Sequence, residues 1–135
     1  MCYKQKEIWE LYMAKLIIVV DDDKEIGEIV SVALKCNGFE VTTVSNSQQL
    51  QRLLAVQIPD LIILDIMMPG QNGYQIFSAL RNDAHTQGIP VIVMTARAEY
   101  IYERISKDLG VADHITKPFH PLDLVEKVKV LLPIP

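Results

Sequence analysis

LDIMMPGQNG, Leu64 to Gly73, is the stretch on which the fold turns. It closes the apolar run Leu61-Ile62-Ile63-Leu64 on a carboxylate, Asp65, and leads through a loop to a helix start at Gly73. In an open α/β sheet the C-terminal tip of a central strand is where ligands bind. A second acidic cluster, Asp21-Asp22-Asp23, ends another apolar run, Leu16-Ile17-Ile18-Val19-Val20. Two such strands side by side gather carboxylates that repel one another and resist desolvation unless a cation is present. The pattern therefore predicts a divalent metal site.

The runs on either side of this stretch complete the pattern. Strands are expected at Leu16–Val20, Glu40–Val44, Asp60–Asp65, Pro90–Met94 and Asp113–Thr116. Helices are expected at Lys24–Asn37, Ser47–Val56, Gly73–Arg81, Ala98–Leu109 and Pro121–Leu132, from apolar residues at helical spacing. Inward positions include Ile26, Ile29, Val30, Ala33 and Leu34 on the first helix, and Leu122, Val125, Val128 and Leu132 on the last. Strict alternation of strand and helix implies a parallel sheet covered on both faces. LIIVV, LIILD and VIVM are apolar without a polar face, as doubly covered strands must be, whereas EVTTV suits an edge. The expected fold class is α/β, a flavodoxin-like doubly wound (βα)5 domain with strand order 2-1-3-4-5.

The chain has 135 residues, half of them hydrophobic and 22% charged, which fits one packed domain. The expected division is an N-terminal extension over residues 1–13, the domain over 14–132, and a tail or linker start over 133–135. A net charge of −4 argues against the basic face that direct nucleic-acid binding needs. No apolar run is long enough to span a membrane and no signal-peptide cleavage pattern is present, so a cytoplasmic location is expected. Cys2 and Cys36 have no ligand-type spacing; free thiols are expected, with one disulfide as the alternative. The extension carries Ile8, Trp9, Leu11, Tyr12 and Met13, which suit either a locally packed leader or a docking or dimer contact.

Four groups converge on the carboxyl edge of such a sheet: Asp21 with Asp22, Asp65, Thr95 and Lys117. Each has an ordinary explanation alone, as a helix cap or a solvated turn residue. Jointly they fit phosphoryl transfer to a carboxylate. Asp65 is the expected nucleophile. Mg²⁺ or Mn²⁺ is expected on Asp22, Asp65 and the backbone carbonyl of Met67, with Asp21 acting through water. Lys117 supplies an ammonium for a phosphoryl oxygen, and the Thr95 hydroxyl a hydrogen bond to the product phosphate.

VVDDD at 19–23, LDIMMPGQNG at 64–73, MTA at 94–96 and ITKPF at 115–119 together resemble the response-regulator receiver domains of bacterial two-component signalling. The resemblance covers about residues 15–132. It implies a sensor histidine kinase or phosphotransfer protein as donor, with Asp65 as the phosphorylated residue. It further implies an output domain or effector partner, and it admits a homodimer through the surface of the fourth helix, fifth strand and fifth helix. That surface is expected to change as Thr95 moves toward the phosphate and His114 turns inward. His114 stands where Tyr or Phe is commoner. Met67 and Arg97 occupy positions that tune phosphoaspartate lifetime, and neither can position water as a carboxylate or amide could, so slow self-hydrolysis is expected.

Three other readings fit less well. A haloacid-dehalogenase-type phosphatase needs an acid two positions after the nucleophile, where this chain has Met67. A flavin-binding module needs a Ser/Thr/Gly-rich phosphate loop where this chain has VVDDDKE. The third, a receiver-like module that never takes phosphate, leaves the complete set of phosphorylation residues without a purpose.

Overall fold

The computed structural model describes residues 14–68, 70–96 and 110–133. Five parallel strands form the sheet: β1 (Leu16–Val20), β2 (Glu40–Val44), β3 (Leu61–Asp65), β4 (Val91–Thr95) and β5 (Asp113–Thr116). Their spatial order is β2-β1-β3-β4-β5, the flavodoxin-like order expected from the alternation. The helices are α1 (Lys24–Cys36), α2 (Ser47–Leu54), α3 (Gly73–Asn82) and α4 (Pro121–Leu131). The helix expected over 98–109 and the extension over 1–13 lie outside the described residues. Among those residues no helix is long and apolar enough to cross a membrane.

Every residue of β1, β3 and β4 is buried, because helices cover both faces of the sheet. One face packs Ile18, Val20, Ile62, Leu64 and Val93 under Leu50 of α2 and Ile76, Phe77 and Leu80 of α3. The other packs Ile17, Val19, Ile63, Ile92 and Met94 under Val30 and Leu34 of α1 and Leu124, Val125 and Val128 of α4. The alternation of strand side chains sorts each run into these two cores. β2 is the partly exposed edge that EVTTV suggested.

Several expected inward positions differ. Ile29 is 46% exposed and Leu122 56% exposed, while Leu124 is buried instead. Apolar content at helical spacing marks a face only to within about one position: α1 keeps the expected Val30 and Leu34 buried without Ile29, and α4 buries Leu124 in place of Leu122. A short antiparallel ribbon, Met67–Met68 with Gln71–Asn72, was not anticipated. It turns at Gly70, whose φ of 70° favours glycine. Cys36, in the last turn of α1, is disulfide-bonded, against the expected free thiol.

Local chemistry ends the elements. Asp23 caps α1, its Oδ1 accepting from the N–H groups of Glu25 and Ile26. After α1 the chain reverses at Gly38 (φ 91°), and the Phe39 N–H returns to the Leu34 carbonyl. Arg81 ties the loop before β4, its Nη1 donating to the Gln87 and Ile89 carbonyls at 2.8 and 2.9 Å.

Leu34 is fully buried and Val32, two residues earlier, is 61% exposed. Leu34→Ala is expected to cost about 2–5 kcal/mol of unfolding free energy. Val32→Ala should stay within about 0.5 kcal/mol of the parent. Urea titration followed by circular dichroism measures both, and equal losses would contradict the placement of α1.

Candidate phosphoryl-acceptor site

Register brings the charged residues together. β1 and β3 pair Val20 with Leu64, so the next residue of each strand, Asp21 and Asp65, emerges level at the carboxyl edge. β4 and β5 pair Thr95 with Thr116, which delivers Lys117 beside them. Backbone hydrogen bonds hold these exits. The Asp21 N–H donates to the Val44 carbonyl (3.1 Å), the Ile66 N–H to Met94 (3.1 Å) and the Lys117 N–H to Thr95 (2.6 Å).

The three consecutive aspartates do different work. Asp21 is buried, and its Oδ1 accepts the Asp23 N–H at 2.9 Å. Asp22 is exposed at the mouth. Asp23 points away to cap α1. Carboxylate oxygens of Asp21, Asp22 and Asp65 lie within 4.8 Å of one another. Three hard, anionic oxygen donors this close, two of them on buried residues, fit a small divalent cation of the Mg²⁺ type.

Lys117 spans the pocket. Its Nζ lies 2.7 Å from Asp21 Oδ2 and 3.1 Å from Asp65 Oδ2. The shorter contact is to Asp21, a partnership not foreseen from the sequence, because a pairing across 96 residues leaves no mark in a local pattern. Asp65 Oδ1 accepts the Met67 N–H at 2.9 Å. Burial pushes the Asp65 carboxyl above its ordinary pKa. The Met67 N–H and Lys117 oppose the rise, and the charge of Asp21 adds to it. Burial alone would pull the Lys117 ammonium down. Its hydrogen bond to Asp21 and the charges of Asp65 and Asp21 outweigh that and hold it above the usual lysine value.

Thr95 is buried at the end of β4, and His114 is half-buried on β5. Ile115 points into the core under α1 and α4, so strand alternation turns His114 to the opposite face. Met67 is 41% exposed beside the site, while Met68 is buried in the core. Arg97 lies outside the described residues. His120 caps α4, its Nδ1 accepting the Leu122 N–H at 3.1 Å. A groove of about 750 Å³ between α2 and α3 contains none of the four charged residues.

Residues 17–129 match the family described as the response regulator receiver domain. The chain belongs to the response-regulator receiver family. It is 38% identical over 120 residues to the phosphate regulon transcriptional regulatory protein PhoB of Pseudomonas aeruginosa, covering 89% of this chain and 52% of that protein. It is 33% identical to the DNA-binding response regulator MtrA of Mycobacterium tuberculosis, covering 89% and 51%. This receiver thus spans about half the length of the curated relatives it matches. The chemotaxis response regulator CheY4 of Vibrio cholerae superposes with a TM-score of 0.81 at 25% identity, over 88% of this chain and 99% of that one. A receiver of this family is a signalling domain of two-component systems.

Because burial holds the Asp65 pKa up, the stability its carboxyl contributes is full below the unfolded pKa and is lost as pH rises through the folded value. Asp65→Asn removes that loss. In metal-free buffer it should melt a few degrees above the parent at neutral pH, with the gap closing as pH falls toward 3. Circular-dichroism melts across pH measure this, and a gap that widens on acidification would contradict the assigned electrostatics.

Proposed function

We propose that this receiver takes a phosphoryl group onto Asp65 from a phosphohistidine donor, a sensor histidine kinase or a phosphotransfer protein. The observation that carries the reading is the closed cluster at the strand ends: Asp21, Asp22 and Asp65 within 4.8 Å, with Lys117 on two of them. A carboxylate oxygen of Asp65 attacks phosphorus in line. The new O–P bond forms as the N–P bond of the donor breaks, and the imidazole leaves with its electron pair.

Asp22, Asp65 and the backbone carbonyl of Met67 would hold Mg²⁺ or Mn²⁺, with Asp21 through water. The bound cation supplies charge neutralisation to the phosphoryl oxygens. Lys117 exchanges its contact with Asp65 for a phosphoryl oxygen while Asp21 keeps it anchored. The Thr95 hydroxyl donates to the phosphate. Movement of Thr95 gives His114 room to turn inward, and the surface of residues 98–109, β5 and α4 (the fifth helix in the sequence reading) is remodelled for an output domain, an effector or a second copy of the chain. Residues 14–132 form the working unit in this reading, and Met67 and Arg97 leave the phosphoaspartate long-lived.

Intact-mass spectrometry after incubation with acetyl phosphate tests the reaction. A gain of one phosphoryl group is expected in the parent with Mg²⁺, and none with EDTA or in Asp65→Asn. The label should persist for minutes or longer after the donor is removed, and loss within seconds would overturn the lifetime reading. A parent that binds Mg²⁺ but is labelled neither by acetyl phosphate nor by a kinase would mark a phosphate-independent module. In His114→Ala, labelling should proceed while phosphorylation-linked changes in the amide spectrum of β5 and α4 weaken; unchanged shifts would remove His114 from the switch.

A further inference from the structure

The loop carrying Asp65 returns to the sheet at Gly73, through a backbone contact with no room for a side chain. A Cβ on Gly73 would lie 2.3 Å from Ile66 Cα and 2.8 Å from the Asp65 carbonyl oxygen. Both are backbone atoms, which cannot swing aside as the end of a flexible side chain can. The Gly73 N–H also donates to the Ile66 carbonyl at 3.2 Å.

Two common reasons for glycine do not apply. Among the described residues the glycines with positive φ are Gly38, Gly70 and Gly110, so Gly73 does not serve a left-handed turn. Gly73 opens α3, where glycine is among the poorest helix formers. Close approach of the helix to the strand end is what remains.

That approach bears on the site. Ile66 is held from one side by Met94 of β4 and from the other by Gly73. The flanking residues are Asp65 and Met67, whose N–H meets Asp65 Oδ1. We infer that Gly73 is a positioning residue for the acceptor: by admitting α3 to backbone contact, it fixes the Asp65–Met67 segment so that the Asp65 carboxylate closes the acidic cluster. A side chain at 73 would drive Ile66 outward and carry Asp65 and Met67 with it. The consequence for phosphorylation rests on the function proposed above; the consequence for cation binding does not.

The test compares Gly73→Ala with Leu80→Ala, a core truncation seven residues further along the same helix, away from the backbone contact at 73. Mg²⁺ affinity is read by titration of the amide spectrum, fold by circular dichroism, and phosphorylation by acetyl phosphate labelling. Gly73→Ala should lose Mg²⁺ affinity by about tenfold or more, the scale seen when a support of a metal ligand is removed. Its labelling should slow at least as much, and Leu80→Ala should stay within about twofold of the parent in Mg²⁺ affinity despite its lower melting temperature. If Gly73→Ala does not fold in plain buffer, all three proteins are compared in trimethylamine N-oxide, which favours the compact state. Mg²⁺ affinity of Gly73→Ala within about twofold of the parent, or an equal loss in Leu80→Ala, would overturn the inference. A parent that binds Mg²⁺ but is labelled by neither acetyl phosphate nor a kinase would sink the phospho-acceptor reading instead, leaving the Mg²⁺ comparison to decide on Gly73.

Discussion

Three adjacent strands, β1, β3 and β4, have no exposed residue, and this constraint governs everything at the edge of the sheet. A strand covered on both faces has no place for a charge along its length, since an unpaired buried charge is too costly. Polar groups must therefore wait until the strand ends. Parallel pairing makes the strands end at the same edge, and tight register makes them end at nearly the same level. The acidic pocket follows from apolar strands that each stop on a polar residue.

Once gathered, the charges do not balance. Three carboxylates and one ammonium leave the cluster net negative, and its most buried members, Asp21 and Asp65, share Lys117. Removing Lys117 would strand two buried carboxylates, whereas adding a cation relieves their repulsion. At Asp65, burial and the charge of Asp21 both disfavour the ionised form. A carboxylate held in this state gains from a metal ion, and Asp22, which completes the cluster, is exposed. The mechanical support of Asp65 is the backbone of residues 65–67, pinned between β4 and Gly73.

Much of this was legible before any coordinates. The unbroken apolar runs announced doubly covered strands, the alternation with helices announced a parallel sheet, and Asp65, Thr95 and Lys117 lay at strand ends because the runs stopped there. Hydrophobic pattern alone determines these features, since burial on two faces and burial on one leave different periodicities. Other features depended on how the elements settle against each other. Ile29 and Leu122 carry the same apolar signal as their neighbours, yet the packing of α1 and α4 left them outside the core.

The division of labour among Asp21, Asp22 and Asp23 shows the boundary most clearly. Three identical residues in a row carry no local sign of which is buried, which faces the mouth and which caps a helix. Composition and order were enough to specify a flavodoxin-like sheet with an acidic carboxyl edge. The assignment of Asp21 to Lys117, of Asp23 to the first turn of α1, and of Gly73 to the backbone of Ile66 came only with the folded chain. The first joins residues 96 apart in the sequence, and the other two turn on local backbone geometry; a one-dimensional pattern records periodicity, not proximity.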